Sequence, residues 1–202
     1  MAGRFGWVGA AFGIAAFVAG CGGGSAEGPL LLADAQFNPP TAATAFRPVN
    51  EANRAVAQIF TVGLDGRLEE FWLVITDGNS NDAGTVRITV QPVLAGDVID
   101  DDPNNSLIDP ILVNTATLPV AIEQFTEFNI GDEPGRDVLT GEKYALVVEF
   151  VSRATNNDAA PIALVLGQTG NPFATGAGAT GQLGVGFTNN TEDYFFRTFI
   201  LN

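Results

Sequence analysis

Thr85-Val86-Arg87-Ile88-Thr89-Val90-Gln91 decides how this chain is read. Val86, Ile88 and Val90 alternate with Thr85, Arg87, Thr89 and Gln91, a period of two that buries one face of a β-strand and wets the other. The same period returns over residues 143–150, where Tyr144, Leu146, Val148 and Phe150 share a side. Both read as half-buried antiparallel strands. Residues 68–75, with Phe71, Trp72, Leu73 and Val74, are apolar on both sides and belong in the middle of a sheet or under a covering loop. Residues 56–62, 108–113, 124–130, 162–166 and 194–201 supply further candidates, each bounded by Gly, Asn, Asp or Pro. Turn signals stand at Gly63-Leu64-Asp65-Gly66, Asp77-Gly78 and Thr140-Gly141. No run sustains the 3.6 period of a helix. The pattern predicts an all-β domain over residues 36–202, an antiparallel two-sheet jelly-roll sandwich of about eight strands.

Length and composition fit that domain. The chain has 202 residues, enough for one domain and something short. It is 46% hydrophobic with 15 Phe, which supplies a core. Nine basic residues face 23 acidic ones, a net charge of -14. Such a surface repels phosphate backbones, so nucleic acid is excluded as a partner. There is no His and a single Cys, which removes Ser-His-Asp and Cys-His catalysis, His-ligated metals and any intramolecular disulfide.

That one Cys has a setting. Residues 1–20 hold Arg4 as their only charge, then an apolar stretch rich in Ala, Gly, Phe and Val, the order of a secretory leader. The stretch is shorter than the roughly 20 residues a membrane span needs. Val18-Ala19-Gly20-Cys21 follows it and resembles the bacterial lipobox, an aliphatic and two small residues before a Cys. The resemblance implies a lipoprotein: cleavage before Cys21, lipid on its sulfur and an acyl chain on its new amine. Residues 21–35 then read as the lipidated Cys and a flexible tether, with Gly22, Gly23, Gly24, Ser25 and Gly28. Gly22 stands where an Asp would resemble an inner-membrane retention signal, so the resemblance implies the outer membrane of the cell envelope, on its periplasmic or surface side.

Ala57-Gln58-Ile59-Phe60-Thr61, Leu139-Thr140-Gly141-Glu142-Lys143-Tyr144-Ala145-Leu146-Val147, Gly170-Asn171-Pro172-Phe173 and Asp193-Tyr194-Phe195-Phe196-Arg197-Thr198-Phe199 carry a second resemblance. Together they are similar to the jelly-roll modules of secreted bacterial proteins known as choice-of-anchor domains. The motifs are framework strands and turns. They imply a sandwich and transfer no catalytic residues.

Several candidate sites come from the residues themselves. Gly176-Ala177-Gly178-Ala179-Thr180-Gly181 matches a dinucleotide fingerprint by letter, but no helix pattern follows, so it reads as a flexible loop. Asp97, Asp100, Asp101, Asp102 and Asp109 crowd one stretch with Asn104 and Asn105, oxygen donors of the kind calcium takes. A solvated acidic loop explains the same residues. Asp77, Asn79 and Asn81 open like an EF-hand loop, which fails because Asp82 replaces its Gly and Ile88 its final Glu. Glu69 and Glu70 are adjacent on a strand and point apart, so no glycosidase pair forms there. Phe173 and Phe187 lie in the late Gly-rich region, the aromatics best placed to stack on a sugar. Trp72 and Tyr144 read as core. Arg197, between Phe195 and Phe199, calls for a carboxylate partner, Glu70 or Glu149.

The expectation is a lipid-anchored envelope β-sandwich that is not an enzyme and has a structural or binding role. Its partners would be the membrane, through the lipid anchor, and a glycan or envelope protein. The alternative is a carbohydrate-binding module, stabilised by calcium.

Overall fold

The computed structural model describes residues 29–35, 45–52, 54–78, 83–120, 124–130, 136–154, 160–170, 173 and 176–202. The expected leader and Cys21 lie outside these residues. The first half of the chain forms β1 (Leu30–Ala35), β2 (Ala45–Val49), β3 (Ala55–Thr61), β4 (Gly66–Leu73), β5 (Ile75–Asp77), β6 (Gly84–Leu94), β7 (Val98–Ile99) and β8 (Ile111–Asn114). The second half forms β9 (Thr126–Asn129), β10 (Asp137–Val138), β11 (Lys143–Arg153), β12 (Ala163–Thr169), β13 (Ala177–Gln182), β14 (Gly186–Asn189), β15 (Glu192–Tyr194) and β16 (Phe196–Leu201). Helix among the described residues is confined to two single 3-10 turns, Pro103–Asn105 and Thr115–Thr117. The protein is all-β.

The strands form three sheets, antiparallel throughout. A seven-stranded sheet runs β14-β13-β3-β11-β6-β7, with β8 also on β6. A five-stranded sheet runs β1-β16-β4-β10, with β9 also on β4. A four-stranded sheet places β12 between β2 on one side and β5 and β15 on the other. The last two sheets meet where the chain bends twice. Val74 separates β4 from β5, and Phe195 separates β15 from β16. There the amide of Val74 donates to Phe195 O, that of Phe195 to Leu166 O and that of Leu166 to Val74 O, at 3.2, 3.0 and 3.0 Å. The three side chains are fully buried and form a cluster of their own.

Inward residues of all three sheets meet in one core, among them Phe60 of β3, Phe71 of β4, Ile88 of β6, Leu146 of β11, Val165 of β12 and Phe196 of β16. The alternation of β6 and β11 thus places Val86, Ile88, Val90, Leu146 and Val148 inside as the sequence predicts. Its other half fails. Thr89 and Gln91 face away from that core and are nonetheless 1% and 0% exposed. A second cluster, Ala55, Ala57, Ile59, Ala145, Val147, Ala179, Ile99 and Leu183, packs on the back of the seven-stranded sheet. Ile99 of β7 and Leu183 of the β13–β14 turn roof it over, and the Gly184 amide joins the two roofs by donating to Asp101 O at 2.7 Å. Small residues in β3 and β11 leave room for that roof. The predicted wet face is therefore an interior.

Three further expectations change. The eight predicted strands are exceeded because bends at Val74 and Phe195 split two of them, and because Pro48 and a run of glycines disguise β2 and β13. Residues assigned to the tether, Leu30–Ala35, form β1 on β16. The Gly-rich stretch read as a flexible loop is β13, paired along β3 from Ala177 to Gly181. A Cβ on Gly178 would collide with the Glu192 carbonyl, so glycine there serves strand packing and not a phosphate.

Candidate functional site

The acidic stretch runs from the β6–β7 turn, which holds Asp97, into the β7–β8 loop, and neighbouring amides, Asn side chains and Lys143 meet much of its charge. Asp97 pairs with Lys143, Nζ to Oδ1 at 2.6 Å, and adopts φ +59, a left-handed conformation that Asp tolerates. Asp100 accepts from the Asp102 amide at 3.1 Å and from Asn105 Nδ2 at 2.9 Å. Asp102 accepts from the amide and the side chain of Asn104, both at 2.9 Å, and so caps the 3-10 turn. Asp101 contributes its carbonyl to the roof, and Asp109 is exposed. Among the described residues no three acidic side chains gather as a metal-holding group.

Phe173 and Phe187 are both half-buried and serve different cores. Phe173 lies edge-on to Phe196 at 5.1 Å and packs on the main core, whereas Phe187 packs on the roofed cluster. Phe173 is held by its amide, which donates to Asp193 Oδ2 at 2.7 Å. Asp193 is fully buried, and burial raises its carboxyl above the usual range against the pull of donors from Phe173, Gln58 and Gly178. Gln58 spans the same knot. Its Nε2 donates to Asp193 at 3.2 Å, and its Oε1 accepts the Tyr194 amide at 2.6 Å. The Tyr194 hydroxyl, raised to about 12 chiefly by burial, meets Asn190 and Glu192, and Glu192 is clasped by Arg47. This knot ties β15 to β3, β2 and the Phe173 segment.

A groove of about 480 Å³ opens between the β6–β7 turn and the start of β11. Lys143, Asp97, Glu142 and Tyr144 line it, with Pro92 and Val93 behind. The Tyr144 hydroxyl donates to Glu142 at 2.9 Å. Burial first, and then Glu142, push its phenol up to about 12, so it stays a neutral donor at physiological pH. Tyr144 was expected in the core. Its ring does touch Phe60 at 6.4 Å, but it leads from the core into the groove.

Trp72 also departs from its expected place. In β4, Phe71 and Leu73 enter the core, so Trp72 and Glu70 stand on the outer face. There Trp72 sits 4.8 Å from Phe199 and 6.1 Å from Phe125 between ring centroids, and its indole donates to Glu70. Arg197 lies over Phe125 at 4.5 Å and over Trp72 at 5.4 Å. Both rings present their faces to its guanidinium. Glu149, the other carboxylate named for Arg197, is taken by Arg87 across the β11–β6 pair. The same face continues to Leu32 opposite Phe199, Leu30 opposite Leu201 and, past the Val74 bend, Phe46 opposite Leu166. A strand's period of two would have set Trp72 apart from Phe71 and Leu73, but the apolar neighbours on both sides hid it, and only the β16–β4 pairing brings Phe199 beside it.

No protein-family model and no curated protein matches this chain. Its chemistry is read from the geometry alone. The groove offers one aromatic hydroxyl, one cation and two carboxylates to a polar ligand. The outer face offers apolar and aromatic area.

Proposed function

We propose that the chain is a lipid-anchored cell-envelope module, a jelly-roll type sandwich of two layers with a binding or structural role and no catalysis of its own. The ring of three hydrogen bonds through Val74, Phe195 and Leu166 supports counting the five- and four-stranded sheets as one bent layer over the seven-stranded sheet. The sequence around Cys21 supports the anchor and an outer-membrane location. The observation that carries the binding role is the groove beside Tyr144, an open concavity with donors and acceptors held in place by strand ends.

A carbohydrate is the second reading, favoured by an aromatic ring with Glu142, Lys143 and Asp97 at its side, groups suited to sugar hydroxyls. Calcium enters that reading through the neighbouring acidic loop. A glycan array probed with the purified protein, with and without calcium, tests both. Binding that Tyr144→Ala abolishes supports the carbohydrate reading; a blank array leaves an envelope protein as the partner class. A melting temperature unmoved by chelator or added calcium removes the metal. Mass spectrometry of the mature protein tests the anchor: cleavage before Cys21 and added acyl mass are expected, and an intact leader overturns it.

A further inference from the structure

The outer face of the bent layer carries half-exposed apolar and aromatic side chains, and its edge strand β1 follows the expected anchor closely in sequence. Leu30, Leu32 and Phe46 are 46%, 41% and 47% exposed, and the Trp72, Phe125 and Phe199 cluster lies between them. We propose that this face rests in the interfacial zone of the lipid bilayer to which Cys21 is anchored, an inference that depends on the lipoprotein reading above.

Three observations choose lipid as the occupant. The first is reach. Only eight residues separate Cys21 from Leu30, so even an extended chain keeps β1 within about 30 Å of the acyl chains. β1 is the edge of this very sheet. The second is side-chain type. Trp, Phe and Leu with an Arg laid over the rings are the residues that settle where headgroups meet hydrocarbon, with apolar bodies inward and charge at the wet level. The third is charge. Arg67 and Arg197 offset part of the charge of Glu69, Glu70, Glu127 and Asp137 on β4, β9 and β10, on a chain of net charge -14. The acidic loop containing Asp97, Asp100, Asp101 and Asp102 instead roofs the back of the seven-stranded sheet, across the main core. An anionic bilayer repels that loop, which has a single Lys partner, more than this face, where two Arg stand among the acids. This orientation turns the acidic roof away from the membrane.

The protein carries its own probe. Its two tryptophans are Trp7 and Trp72, and removal of residues 1–20 leaves Trp72 alone. Full-length protein matured in a bacterial host is reconstituted into vesicles of phosphatidylethanolamine and phosphatidylglycerol, with or without bromine high on the acyl chains. Bromine is expected to quench Trp72 emission about twofold, as contact within the interfacial zone requires. Leu30→Glu with Leu32→Glu, and separately Phe46→Glu, are expected to restore it while leaving the protein on the vesicle. Phe46→Glu lies on another sheet, so misfolding of β1 cannot mimic both results. Acylated protein whose Trp72 ignores the bromine overturns the apposition and leaves the anchor standing. Unmodified Cys21 in the mass spectrum overturns the anchor and the apposition with it. Emission that responds to protein concentration in detergent, and not to bromine, assigns the face to a second copy.

Discussion

Asp193 is enclosed, ionisable and ringed by donors, and its consequence is a pH dependence whose sign follows from burial. Its carboxyl ionises at a higher pH folded than the ordinary 3.8, so the proton favours the folded chain. That contribution is complete below 3.8 and is lost as pH rises through the raised value. Asn does not ionise, so Asp193→Asn is expected to gain on the native protein as pH climbs from the acid range to neutrality. Urea unfolding at a series of pH values measures it; a stability difference constant with pH refutes the argument. Gln91 is the other buried polar residue with a clear account. Its Oε1 has no hydrogen-bond partner, and only its amide meets Thr89 Oγ1 at 3.3 Å. Gln91→Leu is therefore expected to stabilise by about 1 kcal/mol, read as a higher urea midpoint at unchanged slope. Neither residue was legible in the sequence. Gln91 sat on a half-strand that alternation assigns to water, and Asp193 sat beside Glu192 as one more acid on an acidic chain. What encloses them arrives from residues far away in sequence, which no local period records.

Among the elements, the strands with clean alternation were legible, β6 and β11 above all, because each borders the main core and carries β-branched or aromatic residues there. β13 was not. Its residues are small because β3, β14 and β15 approach its backbone closely, and a strand of Ala, Gly and Thr looks like a loop to any hydrophobicity pattern. Gly178→Ala tests that explanation, since the new methyl meets the Glu192 carbonyl and the strand has to shift. A loss of about 1–3 kcal/mol is expected, and a neutral result would refute close approach as the reason for glycine there. The Val74–Leu166–Phe195 bend was partly legible as apolar runs at 68–75 and 194–201, without the break that divides each. Phe195→Ala removes the largest side chain of that joint. It is expected to cost about 3–5 kcal/mol by chemical denaturation, in one cooperative transition for all three sheets. Separate transitions would mean that the sheets hold together by other contacts.

For the whole molecule, alternation along the strands gave the all-β class and composition the exclusion of His chemistry, and the candidate surfaces needed coordinates. The groove brings Pro92 and Asp97 beside Glu142 and Tyr144, and the outer face brings Leu30 beside Leu201, separations that turn chemistry alone does not predict. The acidic loop was found and its wiring was not: Asp100 and Asp102 accept from neighbouring amides, a use of carboxylate that leaves no trace in residue counts.

Those separations set an order of assembly. β16 lies between β1 and β4, so the earliest described strand has no seat until the latest one is in place. A chain delivered from its amino end must carry β1 unmated through the synthesis of every intervening strand. The closing strand acts as a keystone, and shortening the chain before Phe196 would strand β1 and bare the flank of β4 together.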